Sequence, residues 1–322
     1  MTAVYLTIDT EYSAGLAARL GVHARQEVFD RSIACRTRHG EVGIFHQMDV
    51  MDAHGIKGVF FVDPMPAMVW GIEAIAAVVE PVLERGHDVQ LHLHPEWLEI
   101  ADEANPLRGL TGRNMHDFTE AEQVELLEIA REYLMLAGAP APTAFRAGNY
   151  GADDATLRAL AQVGIRYDSS HAPGITRSDC RISLEPDDQQ VVRHEGATEV
   201  PIGSLRSFRG QRHAQITALS HWEMAAALRY CVDNGVAMLN IVSHSFELMS
   251  RDRKRANSIV RGRFARFCET VARTAGARSA TFAERPPRIG DETGASTMPH
   301  SELRSAARVA EQVLSNTLYG AS

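Results

Sequence analysis

Seven times along this chain a short apolar run ends in a polar residue, and a helical pattern follows most of these runs. The runs are AVYLTIDTE (3–11), GIKGVFFVDP (55–64), HDVQLHLHP (87–95), APTAFRAGN (141–149), GIRYDSS (164–170), TEVPIGS (198–204) and VAMLNIVSHS (236–245). Near-continuous stretches rich in Val, Ile and Phe suit strands covered on both faces. Between them, Ile44, Met48 and Met51 recur at helical spacing and stop at Gly55. The segment 71–86 does the same, with Pro81 as an expected break or kink. Segment 119–138 opens on the capping-box pair Thr119 and Glu122, and 153–164 opens on an aspartate cap. Segments 220–235 and 258–276 complete the helical set. Strand alternating with helix predicts a parallel α/β architecture, either an open doubly wound sheet or a closed barrel. No GxGxxG follows the first run, so a dinucleotide-binding sheet loses ground. In a parallel barrel, chemistry collects at the C-terminal strand ends, where these polar residues sit.

Composition narrows the function classes. With 322 residues and a formal net charge of -8, the chain has a full core's worth of sequence and no overall basic balance, which argues against nucleic acid as a partner. Cys35, Cys180, Cys231 and Cys268 are far apart, with no CxxC spacing, and fit a reducing compartment. The opening MTAVYLTIDTEY has no basic n-region and meets Asp9, unlike a signal peptide. No apolar run approaches the ~20 residues that cross a bilayer. The expectation is a cytoplasmic enzyme without a transmembrane segment. Homo-oligomerisation stays open. Residues 171–197 and 205–216 read as loops or an irregular insertion, and from 286 onward the chain turns polar, with a short amphipathic helix near 301–318.

The strand ends carry the chemistry. Side chains at i and i+2 of a strand share a face. Asp9 and Glu11 are so spaced, and so are His92 and His94 in QLHLHPEW. Two imidazoles and a carboxylate, with water in the remaining position, is an arrangement that catalytic zinc sites use. The ordinary alternatives are a hydrogen-bonded core histidine and, for Asp9 and Glu11, a helix cap with a solvated acid. Three more strand ends add to the set: Arg146 in FRAGNYG, Asp168 in YDSS and His244 in NIVSHS. An arginine beside a carboxylate lowers its pKa and fixes its orientation. A metal, a base, a base-orienting pair and a second proton-transfer group make up the parts of metal-assisted hydrolysis.

The order of these motifs resembles the polysaccharide deacetylase family, the NodB-homology domain of carbohydrate esterase family 4, over roughly residues 3–285. TIDTE, HLHP after GHDVQL, FRAGNYG, RYDSS and IVSHS stand in the family's order, and MDAHGIKGVFFV is similar to its second helix and strand. The HLHPEW form is most similar to the WbmS/WalW-type branch linked to bacterial surface-polysaccharide biosynthesis. The resemblance implies a distorted (β/α)7 barrel of parallel strands over 1–285, followed by a polar extension over 286–322. It implies metal-dependent removal of an N- or O-acyl group from a sugar. In this sequence Asp9 then matches the catalytic base, Arg146 the residue that orients it and His244 the general acid. Asp168 matches a carboxylate that pairs with the acid histidine or a neighbouring arginine. His92 and His94 match the metal histidines, His94 across a two-residue deletion that keeps Pro95. Thr10 stands where the family writes its aspartate ligand. Strand geometry favours Glu11 as the third ligand, with Thr10 and Glu96 left open.

The cofactor so implied is a divalent metal, zinc first, with cobalt and nickel also compatible. The partners implied are an acylated sugar, a nucleotide sugar or a lipid-linked saccharide. Tyr150, Trp97 and Asp63 are candidate sugar contacts, and backbone N–H groups near Asn149 or Tyr150 would face the acyl oxygen. Trp70 is assigned to the core. The basic run 251–267 reads first as a solvated helix face and second as a site for a diphosphate-linked sugar or an anionic headgroup. His46, His54, His194 and His213 are read as surface or structural residues. Two competing functions are compatible with the residues: a same-fold deformylase or amidohydrolase on another amide, and a catalytically degenerate sugar-binding or scaffold protein.

Overall fold

A computed structural model describes residues 1–175, 177–208, 210–290 and 298–320. In chain order the strands are β1 (Thr2–Thr10), a small hairpin β2 (Arg36–Thr37) and β3 (Gly40–Glu41), β4 (Val59–Val62), β5 (Asp88–Leu93), β6 (Ala144–Ala147) and β7 (Tyr167–Asp168). There follow β8 (Val192–His194), β9 (Ala197–Glu199), a hairpin β10 (Ser204–Ser207) and β11 (Gly210–His213), β12 (Met238–His244) and β13 (Ala277–Ser279). The curled sheet runs β12-β1-β4-β5-β6-β7-β9, all parallel, with β8 antiparallel on its edge and β13 beside the start of β1. Between β9 and β12 the wall is completed by Gly203, whose N–H donates to the Asn240 carbonyl at 2.9 Å, and by Ile216, whose N–H donates to Val242 at 3.0 Å. These seven parallel strands form the expected distorted (β/α)7 barrel.

Burial explains why β1 shows no alternation in sequence. All nine of its residues are buried. Val4, Leu6 and Ile8 pack outward into the large core with the helices. Ala3 and Tyr5 face inward and fill the lower barrel with Val59, Phe61, Tyr167 and Phe282. The same inward face continues upward through Thr7 and Asp9 to Glu11, so period two delivers both acids to the barrel mouth. On β5, Leu91 and Leu93 join the outer core. The alternate residues Gln90, His92 and, just past the strand end, His94 therefore face in.

The helices follow the sequence closely where it is periodic. They include α1 (Ala14–Leu20), α2 (Arg25–Ser32), α3 (Ile44–Ala53), α4 (Ala67–Trp70), α5 (Ile72–Glu84), α6 (Trp97–Ala101), α7 (Glu120–Leu136), α8 (Asp154–Gln162), α9 (His221–Asp233), α10 (Ser258–Arg273) and α11 (Glu302–Tyr319). The Thr119–Glu122 capping box forms, and Asp153 caps α8. Helix α5 runs through Pro81 rather than ending there. Helices α1 and α2 and the hairpin β2–β3 occupy residues that the pattern left unassigned. The stretches expected as irregular, 171–197 and 205–216, contain β8 and the hairpin β10–β11, while Thr176 and Arg209 within them lie outside the described residues.

Of the expected extension 286–322, residues 291–297 and 321–322 lie outside the described residues. Helix α11 turns a polar side inward. Arg308 is buried and its Nε donates to Glu223 Oε1 at 3.1 Å, and buried Arg263 donates through Nε to Glu311 Oε1 at 2.9 Å. Leu303, Val313 and Leu318 stay exposed. No helix among the described residues is long and apolar enough to cross a membrane.

Candidate functional site

Three side chains from two strand tips meet at the mouth. Glu11 Oε2 lies 3.1 Å from His92 Nε2 and 2.6 Å from His94 Nε2. The two imidazoles stand edge to face, centroids 4.9 Å apart. Their other nitrogens are already engaged. His92 Nδ1 lies 2.7 Å from the Arg146 carbonyl, and His94 Nδ1 lies 2.7 Å from Glu96 Oε2. A carbonyl or carboxylate at Nδ1 places the proton there and leaves a lone pair on Nε2. Both lone pairs then face one carboxylate oxygen, an arrangement that repels itself until a cation arrives. As drawn, protonation of His94 supplies that cation. Burial pulls the His94 pKa down, but the charge of Glu11 and hydrogen bonds to Glu11 and Glu96 hold it well above the usual value. Burial likewise opposes Glu11, yet His94 and His92 hold its carboxyl well below the usual range.

The same group fits a divalent ion. Glu11, His92 and His94 each bring one donor atom, all within 4.8 Å of one another. Two imidazoles with fixed tautomers and one carboxylate make a borderline-soft donor set suited to zinc. Beside them Asp63 is buried. Its Oδ1 accepts the Met65 N–H, and its Oδ2 has no partner among the described residues. Burial pushes the Asp63 carboxyl up to about 6, against the pull of both imidazoles. An orphaned buried oxygen next to two imidazoles is a further sign of a position built for a positive charge. Of the ligand alternatives, Thr10 turns its hydroxyl back to the Ile8 carbonyl at 3.1 Å, and Glu96 stands behind His94. Gly148 makes room for this ring: a Cβ there would lie 2.6 Å from His94 Nδ1.

A second group flanks the first. Asp9 is 2% exposed, and its Oδ1 accepts from Arg146 Nη1 at 2.5 Å. Arg146 is fully buried and donates also to Thr7 Oγ1 (3.1 Å), the Ser169 carbonyl (3.0 Å) and Ser169 Oγ (3.1 Å), with its guanidinium 4.3 Å over the Phe61 ring. These four hydrogen bonds fix the guanidinium in one orientation, and Asp9 is held with it. Asp9 Oδ2 faces His244 Nε2 at 3.7 Å, its register neighbour on β12.

The partner of His244 is Glu247, which the sequence reading missed. His244 Nδ1 lies 3.0 Å from Glu247 Oε1. That carboxylate is buried and accepts also from Gln215, Thr217 and Ser243. Burial pulls the His244 pKa down, but Glu247 outweighs it, with help from Asp9 and Glu11, and pushes it up to about 9. The available signal was an acid three residues after a strand-tip histidine.

Asp168 does not occupy that place. It stands on the face of β7 opposite Tyr167 and Ser169, accepts from the Ser170 N–H (2.9 Å) and hydroxyl (2.8 Å), and forms no ion pair with His244 or Arg146. Glu199, its register neighbour on β9, is pushed well up by burial and by the Asp168 charge. Trp97 is also displaced from its expected role. It is wholly buried, edge-on to Trp70 at 5.1 Å, and has no face to offer a sugar. Asn149 and Tyr150 both adopt left-handed backbone, φ 56° and 58°, a costly conformation outside glycine. The Asn149 amide donates to the Arg113 carbonyl at 3.4 Å, away from the cluster. The Tyr150 hydroxyl is buried without a partner among the described residues, and burial, with the charge of Asp9, raises its pKa well above the usual phenol range.

No family model matches this sequence, and no curated protein matches it. Solved structures do. A candidate polysaccharide deacetylase from Mycobacterium smegmatis is similar at TM-score 0.53 and 15% identity, over 88% of each chain. A 4-alpha-glucanotransferase from Thermococcus litoralis is similar at TM-score 0.51 and 10% identity, over 89% of this chain and 41% of that one. A family 4 carbohydrate esterase from Streptomyces lividans aligns at TM-score 0.42 and 12% identity, over 92% of this chain and 98% of that one. At such identities the likeness is one of fold. The first two names describe different chemistries on one architecture, so function rests on the site.

Proposed function

We propose that this chain is a metal-dependent hydrolase that removes an acyl group, acetyl first, from a sugar used in bacterial surface-polysaccharide assembly. The observation that carries the reading is the convergence of Glu11, His92 and His94, flanked on one side by Asp9 on Arg146 and His244 on Glu247. The similar Mycobacterium smegmatis protein, a candidate polysaccharide deacetylase, is in line with it. Glu11, His92 and His94 would hold the ion, with Asp63 beside them. Bound there, a divalent ion would act as a Lewis acid toward water and an acyl carbonyl. Asp9, held in place by Arg146 Nη1, takes the proton of the attacking water. His244, kept protonated by Glu247, gives a proton to the leaving nitrogen or oxygen. The Tyr150 hydroxyl and the backbone N–H groups at Asn149 and Tyr150 are offered to the acyl oxygen. The products are a carboxylic acid and a free sugar amine or hydroxyl.

The test is direct. Protein purified without chelator is expected to carry close to one equivalent of zinc or a related ion by elemental analysis, and Glu11→Gln or His92→Ala to lose most of it. Release of acetate and formate is then measured over nucleotide sugars and lipid-linked sugars. A protein that holds no ion and hydrolyses none of these after zinc is added would sink the reading.

The acid assignment has its own expected result. His244 must be protonated to act, so activity should fall as pH rises through about 9. Glu247→Gln removes the carboxylate that raises this pKa, so the alkaline limb of kcat should move at least one unit toward lower pH. An unmoved limb would assign the proton to another group.

A further inference from the structure

The mouth of the site also holds a cation that the chain itself leaves unsatisfied. After β12 the chain turns tightly through Ser250–Arg255. The Ser250 N–H donates to the Arg255 carbonyl (2.7 Å), the Ser250 hydroxyl to Asp252 (2.6 Å), and the Arg255 N–H back to Ser250 Oγ (3.0 Å). Arg253 lies within this turn in left-handed backbone, φ 55°. Its guanidinium lies over Phe246, 4.3 Å from the ring centroid. Phe246 in turn stacks on His244 at 5.4 Å, so Arg253 sits one ring away from the proposed acid.

Arg253 Nη1 is buried and has no hydrogen-bond partner among the described residues. Of the site's carboxylates, Asp9 is taken by Arg146, Glu247 by His244 and Glu11 by the two imidazoles, while Asp63, whose Oδ2 is open, does not act on Arg253. Burial disfavours the Arg253 charge, Arg19 of α1 acts in the same direction, and Glu11 acts against them. A desolvated guanidinium N–H without an acceptor is costly, and no carboxylate pairs with this charge among the described residues. One anionic oxygen would accept from the N–H and offset the charge. A neutral hydroxyl would satisfy the N–H and leave the charge uncompensated.

We propose that Arg253 receives an anionic oxygen group, phosphate or carboxylate, carried on the sugar beside its acyl group. The proposal rests on the deacylase reading only in taking the ligand to be the substrate; the anion position can be measured without turnover.

The full chain as purified is titrated with inorganic phosphate and, separately, with glucuronate by calorimetry, and the titration is repeated on Arg253→Met. One of the two anions is expected to bind the parent chain. Arg253→Met should weaken that binding by roughly 10- to 100-fold, the worth of charge-assisted hydrogen bonds. Preference for phosphate or for glucuronate identifies the source. If Arg253→Met does not fold, Arg253→Gln, which keeps a donor but not the charge, must show the same loss. Equal binding by parent and variant, or no binding of either anion by the parent, overturns the proposal. In turnover, KM for N-acetylglucosamine 1-phosphate should rise more in the variant than KM for the same sugar without phosphate. A parent chain that binds the anion through Arg253 yet hydrolyses neither sugar would reject the deacylase reading and leave the anion site standing.

Discussion

Asp9→Asn is expected to lower kcat for acyl release by about a hundred- to ten-thousand-fold, the usual worth of a positioned general base, while metal content stays at the parent level. The two readouts separate because Asp9 stands outside the group formed by Glu11, His92 and His94. Asparagine keeps the volume and one oxygen for Arg146 Nη1 but cannot accept a proton from water. The assay pairs acetate release under saturating sugar with elemental analysis of the same sample. Hydrolysis near the parent rate would remove Asp9 from the base role. Loss of the ion along with activity would mean that Asp9 belongs to the metal group instead.

Arg146→Met is expected to destabilise the fold by about 3–5 kcal/mol, because it strands a buried carboxylate. Asp9 and Arg146 are both almost wholly inaccessible, and the guanidinium also satisfies Thr7 and Ser169 in the barrel interior. Asp9→Asn should cost much less, since its amide oxygen still accepts from the arginine. The double variant Asp9→Leu with Arg146→Met should recover a large part of the loss, because neither charge is then left alone. Denaturant midpoints of the three variants check the series. A double variant no more stable than Arg146→Met would show that the arginine acts through Ser169 and Thr7, and not through the acid.

The strand tips were legible because two properties coincide there. The apolar runs mark where strands lie, and period two then says which neighbours share a face. Asp9 with Glu11, and His92 with His94, follow from that alone. Asp168 shows where the method stops. β7 is only two residues long, so the sequence offers no alternation from which to read its faces, and Ser169 turned out to be the inward residue that meets Arg146. Glu247 was hidden for a different reason. It lies in a turn beyond the strand, and its worth comes from Gln215, Thr217 and His244, which only the closed barrel brings to it. Trp97 was read by type and proximity to His94, while its direction depends on how α6 packs on Trp70. Helices α1 and α2 escaped notice because few of their residues are buried, so no apolar stripe marks them.

The tail helix has a reach that its distance along the chain conceals. The Arg251 N–H donates to the Tyr319 carbonyl, Arg255 reaches the Leu318 carbonyl, and Asn257 donates to Ser315. These clasps hold the very turn that carries Arg253, while the Arg308–Glu223 and Arg263–Glu311 braces key α11 into a single axial position. A slip of one helical step would break each brace at once. Trimming before Ser315 would thus slacken the cleft's outer jaw and leave the Glu11, His92 and His94 floor, built from the tips of β1 and β5, untouched.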